Sequence, residues 1–451
     1  MKKSMCSIAV ISVSLGILPA ATPLRADDPH DPLKAYVNKK DGAYAWTKRQ
    51  DGKIGPTEYV ELTLTSQKWQ NMTWRHQLFI LKPSTIEPRL NHTLLFITGG
   101  DWDDKLAQPI NHPQKPPREA MILAMLAEVL KTPVAILRHV PRQPIYDGLY
   151  EDEIISLTFE QFLKTQDPEK VLLLPMVKSA VRAMDAVDEA VRQQWDLSAK
   201  TFTVTGASKR GWTTWLTAAV DPRVTAIAPM VFDMLNMVPQ LRHQVDFWGD
   251  YSYKIHDYSD RGLPDHLNSP QGKALRDIVD PYSYRKRLML PKLILLGTND
   301  HYWPVDALNQ YWDGLEGSKY ILNLPNNRHG LKDYKRMIGT INALHQHVAT
   351  GAPLPRLTWK FHTDKDQETL TVTSDVKPKT VQLWTAISKK CDFRDSQWKS
   401  SKIESVDGQY IARVQYPKSG YKAFFGETVY ENNNVPYYLS TQVKVLKPMS
   451  D

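Results

Sequence analysis

Residues 201–211, TFTVTGASKRG, constrain this chain more than any other stretch. A β-branched run ends at Gly206, Ser208 follows two residues later, then Gly211, then a helix with Trp212, Trp215, Leu216 and Ala219 on its apolar side. Strand, tight turn tipped by a serine, helix: this is the pattern of a nucleophile elbow. Glycines flank the serine where side chains would clash, and the hydroxyl stands at a helix N-terminus, where the dipole and free N–H groups favour developing negative charge. The spacing is G-x-S-x-x-G, because Arg210 stands where the second glycine usually falls. Taken alone, the pattern also fits an ordinary strand-to-helix turn capped by a serine.

The downstream sequence supplies partners. An apolar, strand-like run at 291–298 delivers Asn299-Asp300, and a second run at 319–324 is followed by Pro325-Asn326-Asn327-Arg328-His329-Gly330. A serine hydroxyl is a poor nucleophile until a histidine takes its proton, and a carboxylate must hold that histidine in the right tautomer. Ser208, Asp300 and His329 come in that order, each at the C-terminal end of a predicted strand, which is the order of an α/β-hydrolase. Upstream, the apolar run 93–98 ends in Gly99-Gly100-Asp101-Trp102. In such a fold this loop donates one N–H to the oxyanion hole and the residue after the nucleophile donates the other. The expected hole is therefore Lys209 with Gly100 or Asp101. Trp102 and Arg210 are the expected substrate contacts: the Arg210 fork suits a carboxylate, with a salt bridge under the elbow as its structural alternative.

Composition narrows the class. Lys2 and Lys3 precede the apolar segment 8–18, and Leu24-Arg25-Ala26 offers a small-residue cleavage site before Asp27. Residues 1–26 read as a secretory signal peptide, too short in apolar length to span a bilayer, with an uncleaved anchor as the alternative. The expected location is periplasmic or extracellular, without stable membrane insertion. Removing the leader takes away three basic residues and lowers the net charge from +8 to +5. No Lys/Arg block interleaved with aromatics is present, so nucleic acid is not an expected partner. The remaining cysteine, Cys391, has no disulfide partner in the mature chain. Histidines 139, 243, 256, 266 and 301 are scattered without ligand spacing, and no phosphate or dinucleotide fingerprint occurs, so no metal or cofactor is expected.

Along the chain, alternating runs at 59–64 and 74–81 predict half-buried antiparallel strands. Residues 118–131 predict an amphipathic helix with Met121, Met125, Leu126 and Val129 on one face, 133–140 a strand, 172–195 a long helix, and 224–231 a buried strand. This alternation argues for a doubly wound, mostly parallel sheet with helices on both faces. Residues 27–352 form the expected hydrolase-like domain. Within it, 234–285 fit the sheet pattern poorly and read as a cap insertion, whose aromatics line a cleft or form the cap's own core. From 353 to 451, short β-like segments at 357–362, 369–373, 380–385, 409–414 and 437–445 predict a small C-terminal β-sandwich.

These residues carry a resemblance. GASKRGWTTWLTAAVDPRV, LPMVKSAVRAMDAVDEA before it and VDPYSYRKRLMLPKLILLGTNDHYWPVDA after it are similar to the PhoPQ-activated pathogenicity-related protein family, as are DPLKAYVNKKDGAYAW, GGDWDD and RQPIYDGLYEDEI. The resemblance spans roughly residues 30–350. It implies an exported α/β-hydrolase-like protein linked in bacteria to virulence and envelope stress, with its serine on Ser208, its acid on Asp300 and its histidine on His329. Glucuronoyl-esterase-like enzymes share a basic residue and G-x-S-x-x-G in the elbow, which adds a sugar-acid ester to the substrate candidates. Two functions follow. One is a serine hydrolase cleaving an ester or amide bond of a small-molecule or peptide substrate. The other is a secreted binding or signalling protein on a hydrolase scaffold, with little or no turnover, recognising its partner through the C-terminal sandwich.

Overall fold

The computed structural model describes residues 31–448 apart from 88, 89, 109 and 111, and the leader expected at 1–26 lies outside the described residues. The continuous apolar run becomes β4 (His92–Ile97), which is buried on both faces: Leu94 packs into one core, Leu95 and Ile97 into the other. Such a strand belongs in the middle of a sheet covered by helices on both sides. Around it lie β1 (Ala45–Ile54), β2 (Thr57–Trp69), β3 (Met72–Lys82), β5 (Val134–Leu137), β6 (Thr201–Ala207), β7 (Val224–Met230), β8 (Lys292–Gly297) and β9 (Lys319–Leu324). The nine strands run in the order β1-β2-β3-β5-β4-β6-β7-β8-β9. The first four pair antiparallel, and β5 through β9 run parallel. This is the α/β-hydrolase sheet.

The chain order reverses between β4 and β6, which makes a topological switch point, and ligands of open α/β sheets bind at the strand C-termini there. Ile97 pairs with Gly206, so the Gly99 loop leaves the sheet level with the serine turn. Helices cover both faces. Helix α1 (Pro32–Asn38), α4 (Leu173–Trp195) and α5 (Lys209–Val220) pack into the larger core, while α2 (Arg118–Leu130) and α10 (Tyr334–Thr350) pack into the smaller one. Helix α3 (Glu151–Thr165) leads into α4. Among the described residues no helix is long and apolar enough to cross a membrane.

Helix α2 corrects the sequence reading. Leu126 faces the sheet as expected, but Met121, Met125 and Val129 point to solvent, Met125 with 61% exposure. The buried stripe is Ala120, Leu123, Ala124, Leu126, Ala127 and Leu130. The small alanines allow the helix to sit close against the sheet, so the bulkier methionines turn outward.

Between β7 and β8 lie α6 (Met237–Trp248), α7 (His256–Ser259), α8 (Leu263–His266) and α9 (Pro270–Val279), the stretch read as a cap. Its aromatics divide. Tyr258 reaches the pocket at Ser208, Tyr284 is buried with its hydroxyl donating to the Ile278 carbonyl, and Phe247 packs with Phe393 and Phe425 of the C-terminal region.

Two antiparallel sheets complete the chain. One orders β10 (Leu357–Thr363), β11 (Gln367–Ser374), β15 (Gln409–Gln415) and β14 (Ser405–Val406). The other holds β13 (Lys399–Lys402), β12 (Thr380–Ser388), β16 (Tyr421–Asn432) and β17 (Val435–Ser440), with β18 (Lys444–Leu446) also on β16. Leu370, Val372 and Val414 of the first sheet share a core with Val381, Phe424 and Leu446 of the second, as a sandwich requires. The single run read at 437–445 is two strands, broken where Thr441 turns to exchange hydrogen bonds with Gly426.

The sandwich is joined to the hydrolase sheet by buried polar contacts, and the described residues from Pro32 onward form one compact unit. The Asn323 side chain donates to the Thr441 carbonyl, and the Arg336 guanidinium of α10 grips Glu427 of β16 at 3.0 and 3.2 Å. The Glu427 side chain has no solvent exposure, so removing its cation strands a buried charge. Arg336→Ala is expected to cost roughly 3 kcal/mol in denaturant unfolding, with part of the loss recovered when Glu427→Gln is added.

Candidate active site

Ser208 adopts φ 59° and ψ −125°, a strained conformation that lifts its side chain clear of the sheet between β6 and α5. The glycine spacing now has a physical reason. A Cβ on Gly206 would stand 2.8 Å from the Arg210 backbone and Cβ, and one on Gly211 would stand 2.9 Å from the Met230 carbonyl of β7. The second glycine therefore falls where α5 crosses the neighbouring strand.

The structure brings the three expected residues together. His329 Nε2 lies 2.9 Å from Ser208 Oγ, and His329 Nδ1 lies 2.8 and 3.1 Å from the two oxygens of Asp300. The Tyr302 N–H donates to Asp300 at 2.9 Å, and the Tyr302 ring covers one face of the imidazole at a centroid distance of 4.1 Å. Asp233 also ends a strand nearby, but its carboxyl takes the Tyr311 hydroxyl at 2.6 Å, and burial pushes its pKa up to about 7. The acid facing the histidine is thus Asp300.

Arg210 does not stand free for a substrate. Its two terminal nitrogens each donate to Glu151 at 2.7 Å, and its Nε donates to the Val140 carbonyl at 2.5 Å. The guanidinium lies so close to Gly99 that a Cβ there would sit 2.2 Å from it. A fork committed to Glu151 cannot also take a substrate carboxylate, so the salt bridge under the elbow is what the structure holds. It bolts the start of α5 to the loop after β5 and to the start of α3, and packs against the loop after β4 at Gly99. Trp102 is likewise turned away: its indole N–H donates to Asp104 at 2.8 Å, its ring packs edge-on against His139, and it takes no part in lining the pocket at Ser208.

Lys209 opens α5, so its N–H belongs to the first helical turn, whose donors lack intrahelical acceptors. Gly100 lies over the His139 ring, which burial holds neutral with a pKa of about 4. Asp101 is tethered by Gln143 Nε2 at 3.3 Å, and Gln143 also bonds Glu151. The loop after β4 and the N-terminus of α5 therefore share one network, in which Glu151 is the hub. Sequence reasoning missed Glu151 because nothing in YEDEI marks it apart from its neighbours. Burial alone would raise the Glu151 pKa, but the hydrogen bonds and charge of Arg210, with Lys209 and Gln143, outweigh it and hold the pKa at about 2.

Asn299, next to Asp300, links two regions. Its side-chain amide donates to the carbonyls of Phe393, Arg394 and Ser396 at 3.1, 3.2 and 2.7 Å. Asn326 exchanges two hydrogen bonds with the backbone of Trp398. The loop between β12 and β13 thus grips both the turn carrying Asp300 and the turn leading to His329.

The profile of the PhoPQ-activated pathogenicity-related protein family matches residues 33–394. The chain is 31% identical over 442 residues to the Autocrine proliferation repressor protein A of Dictyostelium discoideum, covering 90% of this chain and 87% of that one. It belongs to this family. Among solved structures it is similar to an acetyl xylan esterase from Paenibacillus sp. R4 (TM-score 0.47, 16% identity, 67% of this chain and 89% of that one). It is also similar to a glucuronoyl esterase from Solibacter usitatus (TM-score 0.40, 11% identity, 70% and 91%).

The Glu151–Arg210 pair predicts a pH signature. Because the folded-state pKa of Glu151 is depressed, its stabilisation is complete above the ordinary value of 4.5 and is lost as pH falls toward about 2. Thermal melts of the protein and its Glu151→Gln variant are expected to differ most at pH 6 and to converge between pH 4.5 and pH 2.

Proposed function

We propose that this member of the PhoPQ-activated pathogenicity-related family is an exported serine hydrolase that cleaves an ester or amide bond. The observation that carries this reading is the continuous hydrogen-bonded path from Ser208 through His329 to Asp300, at 2.9 and 2.8 Å. In the reaction, Ser208 Oγ attacks the carbonyl carbon while His329 Nε2 takes its proton. Asp300 holds the Nδ1–H tautomer and stabilises the imidazolium that forms. The Lys209 N–H, with that of Gly100 or Asp101, receives the oxyanion at the N-terminus of α5. His329 then returns its proton to the leaving group, and a water molecule, activated by the same histidine, releases the acid and regenerates Ser208. The signal-like sequence 1–26 supports a site of action outside the cytoplasm, and the family's name, pathogenicity-related, supports a role in virulence.

A second reading draws on one observation. The Dictyostelium relative is named as an autocrine repressor of proliferation, and a signalling protein on this scaffold would need no turnover. Against it, a backbone strained at Ser208 and a histidine aligned on it are costly features to hold for binding alone.

A fluorophosphonate probe separates the two. The mature protein is expected to be labelled on Ser208, located by peptide mass spectrometry. Labelling should vanish in Ser208→Ala and slow by roughly 10³-fold or more in His329→Ala. A folded protein that stays unlabelled would favour the signalling reading.

A further inference from the structure

An apolar pocket runs from Ser208 under the cap. Its walls include Phe159 of α3, Trp212 of α5, Phe232 after β7, and Leu241, Leu263 and Leu267 of the cap, all buried from solvent. Its charged groups are Lys209 and Asp152, paired at 2.8 Å, and the Tyr258 hydroxyl donates to the same Asp152 at 2.8 Å. These polar groups satisfy one another, which leaves the Trp303 indole N–H as a single buried donor in the lining without a partner among the described residues. A sugar ring carries several hydroxyls and a charged group needs a counter-charge; one indole donor satisfies neither, and polar atoms left unpaired are costly in a largely apolar pocket.

Enclosure decides which half of the substrate enters. Between the two steps of a serine hydrolase the leaving group must depart and water must reach His329. The His329 side chain keeps 25% exposure, so that side is open. The half that stays on the serine can occupy the closed side. Size follows from volume. The pocket is ≈ 80 Å³, about half of the ~150 Å³ apolar cavity that takes a benzene ring, which leaves room for a tail of about three carbons.

We infer, on the serine-hydrolase reading above, that this pocket is an acyl-chain site selecting a short aliphatic acyl group of butyryl size. The bond broken is the ester or amide C–O or C–N bond of that acyl group; Ser208 carries the acyl chain into the pocket, and water releases it as the free short-chain acid.

The test is the rate of hydrolysis of p-nitrophenyl acetate, propionate, butyrate, hexanoate and octanoate by the mature protein, run beside the Ser208 labelling. Each methylene that enters the pocket is expected to raise kcat/KM about fourfold, so butyrate should exceed acetate by about 15-fold and octanoate should fall away. Leu267→Ala, which enlarges the pocket, should move the optimum toward hexanoate. Leu241→Phe, which fills it, should lower the butyrate-to-acetate ratio. Labelling of Ser208 with acetate preferred, or with rates rising steadily to octanoate, would overturn the acyl-site inference and leave the hydrolase reading intact. Neither labelling nor turnover would overturn both.

Discussion

Ser208 sits at a backbone conformation that costs on the order of 1–3 kcal/mol, and the surrounding fold has to hold it there. Three contacts do so. Gly206 and Gly211 let α5 approach β6 and β7 without a Cβ in the way, and the Arg210 fork ties the first turn of α5 to Glu151 and to the Val140 carbonyl. The same guanidinium presses on Gly99, so one side chain sets both the height of the serine and the position of the loop opposite it. A lysine could not replace this arginine, because a point charge cannot make the two parallel bonds to Glu151 and the third to a carbonyl.

The acid and histidine turns depend on a different part of the chain. Asn299 spends a buried amide, and Asn326 an exposed one, on the backbone of residues 393–398, and Arg336 is anchored on Glu427 of the adjoining sheet. Cap helix α6 is tied to the stretch after Asp300 as well, through Gln240 to the Ala307 carbonyl, Gln244 to the Tyr302 carbonyl and His243 to Asp306. Asp300 and His329 thus lie where hydrolase sheet, cap and sandwich meet. The sandwich does more than decorate the fold: its loop fixes the turns on which the proposed proton relay would depend, and tenths of an ångström matter there.

Much of this was legible in the sequence for definite reasons. The elbow, the buried strands and the three candidate residues follow from local rules: glycine spacing, apolar runs, and strand C-termini in a known order. What was not legible depends on contacts between distant segments. The Arg210–Glu151 pair spans 59 residues, and Asn299 finds its partners more than 90 residues away. Helix α2 was read with the wrong face inward, because periodicity ranks methionine above alanine while packing against a sheet prefers the smaller side chain. Helix α10 went unread because Gly339 and Thr340 weaken its helical pattern. Gly339 is there because a Cβ would stand 2.0 Å from the Pro436 carbonyl of β17. That contact, too, is tertiary.

The central claim is that Ser208 becomes acylated and is freed again. Rapid-quench intact-protein mass spectrometry during turnover of p-nitrophenyl acetate measures this directly. The account predicts a transient species heavier by one acetyl group, with the group on Ser208, that forms with release of the first equivalent of nitrophenol and disappears when ester is exhausted. Steady release of nitrophenol with the protein mass unchanged, or the same release from Ser208→Ala, would contradict it.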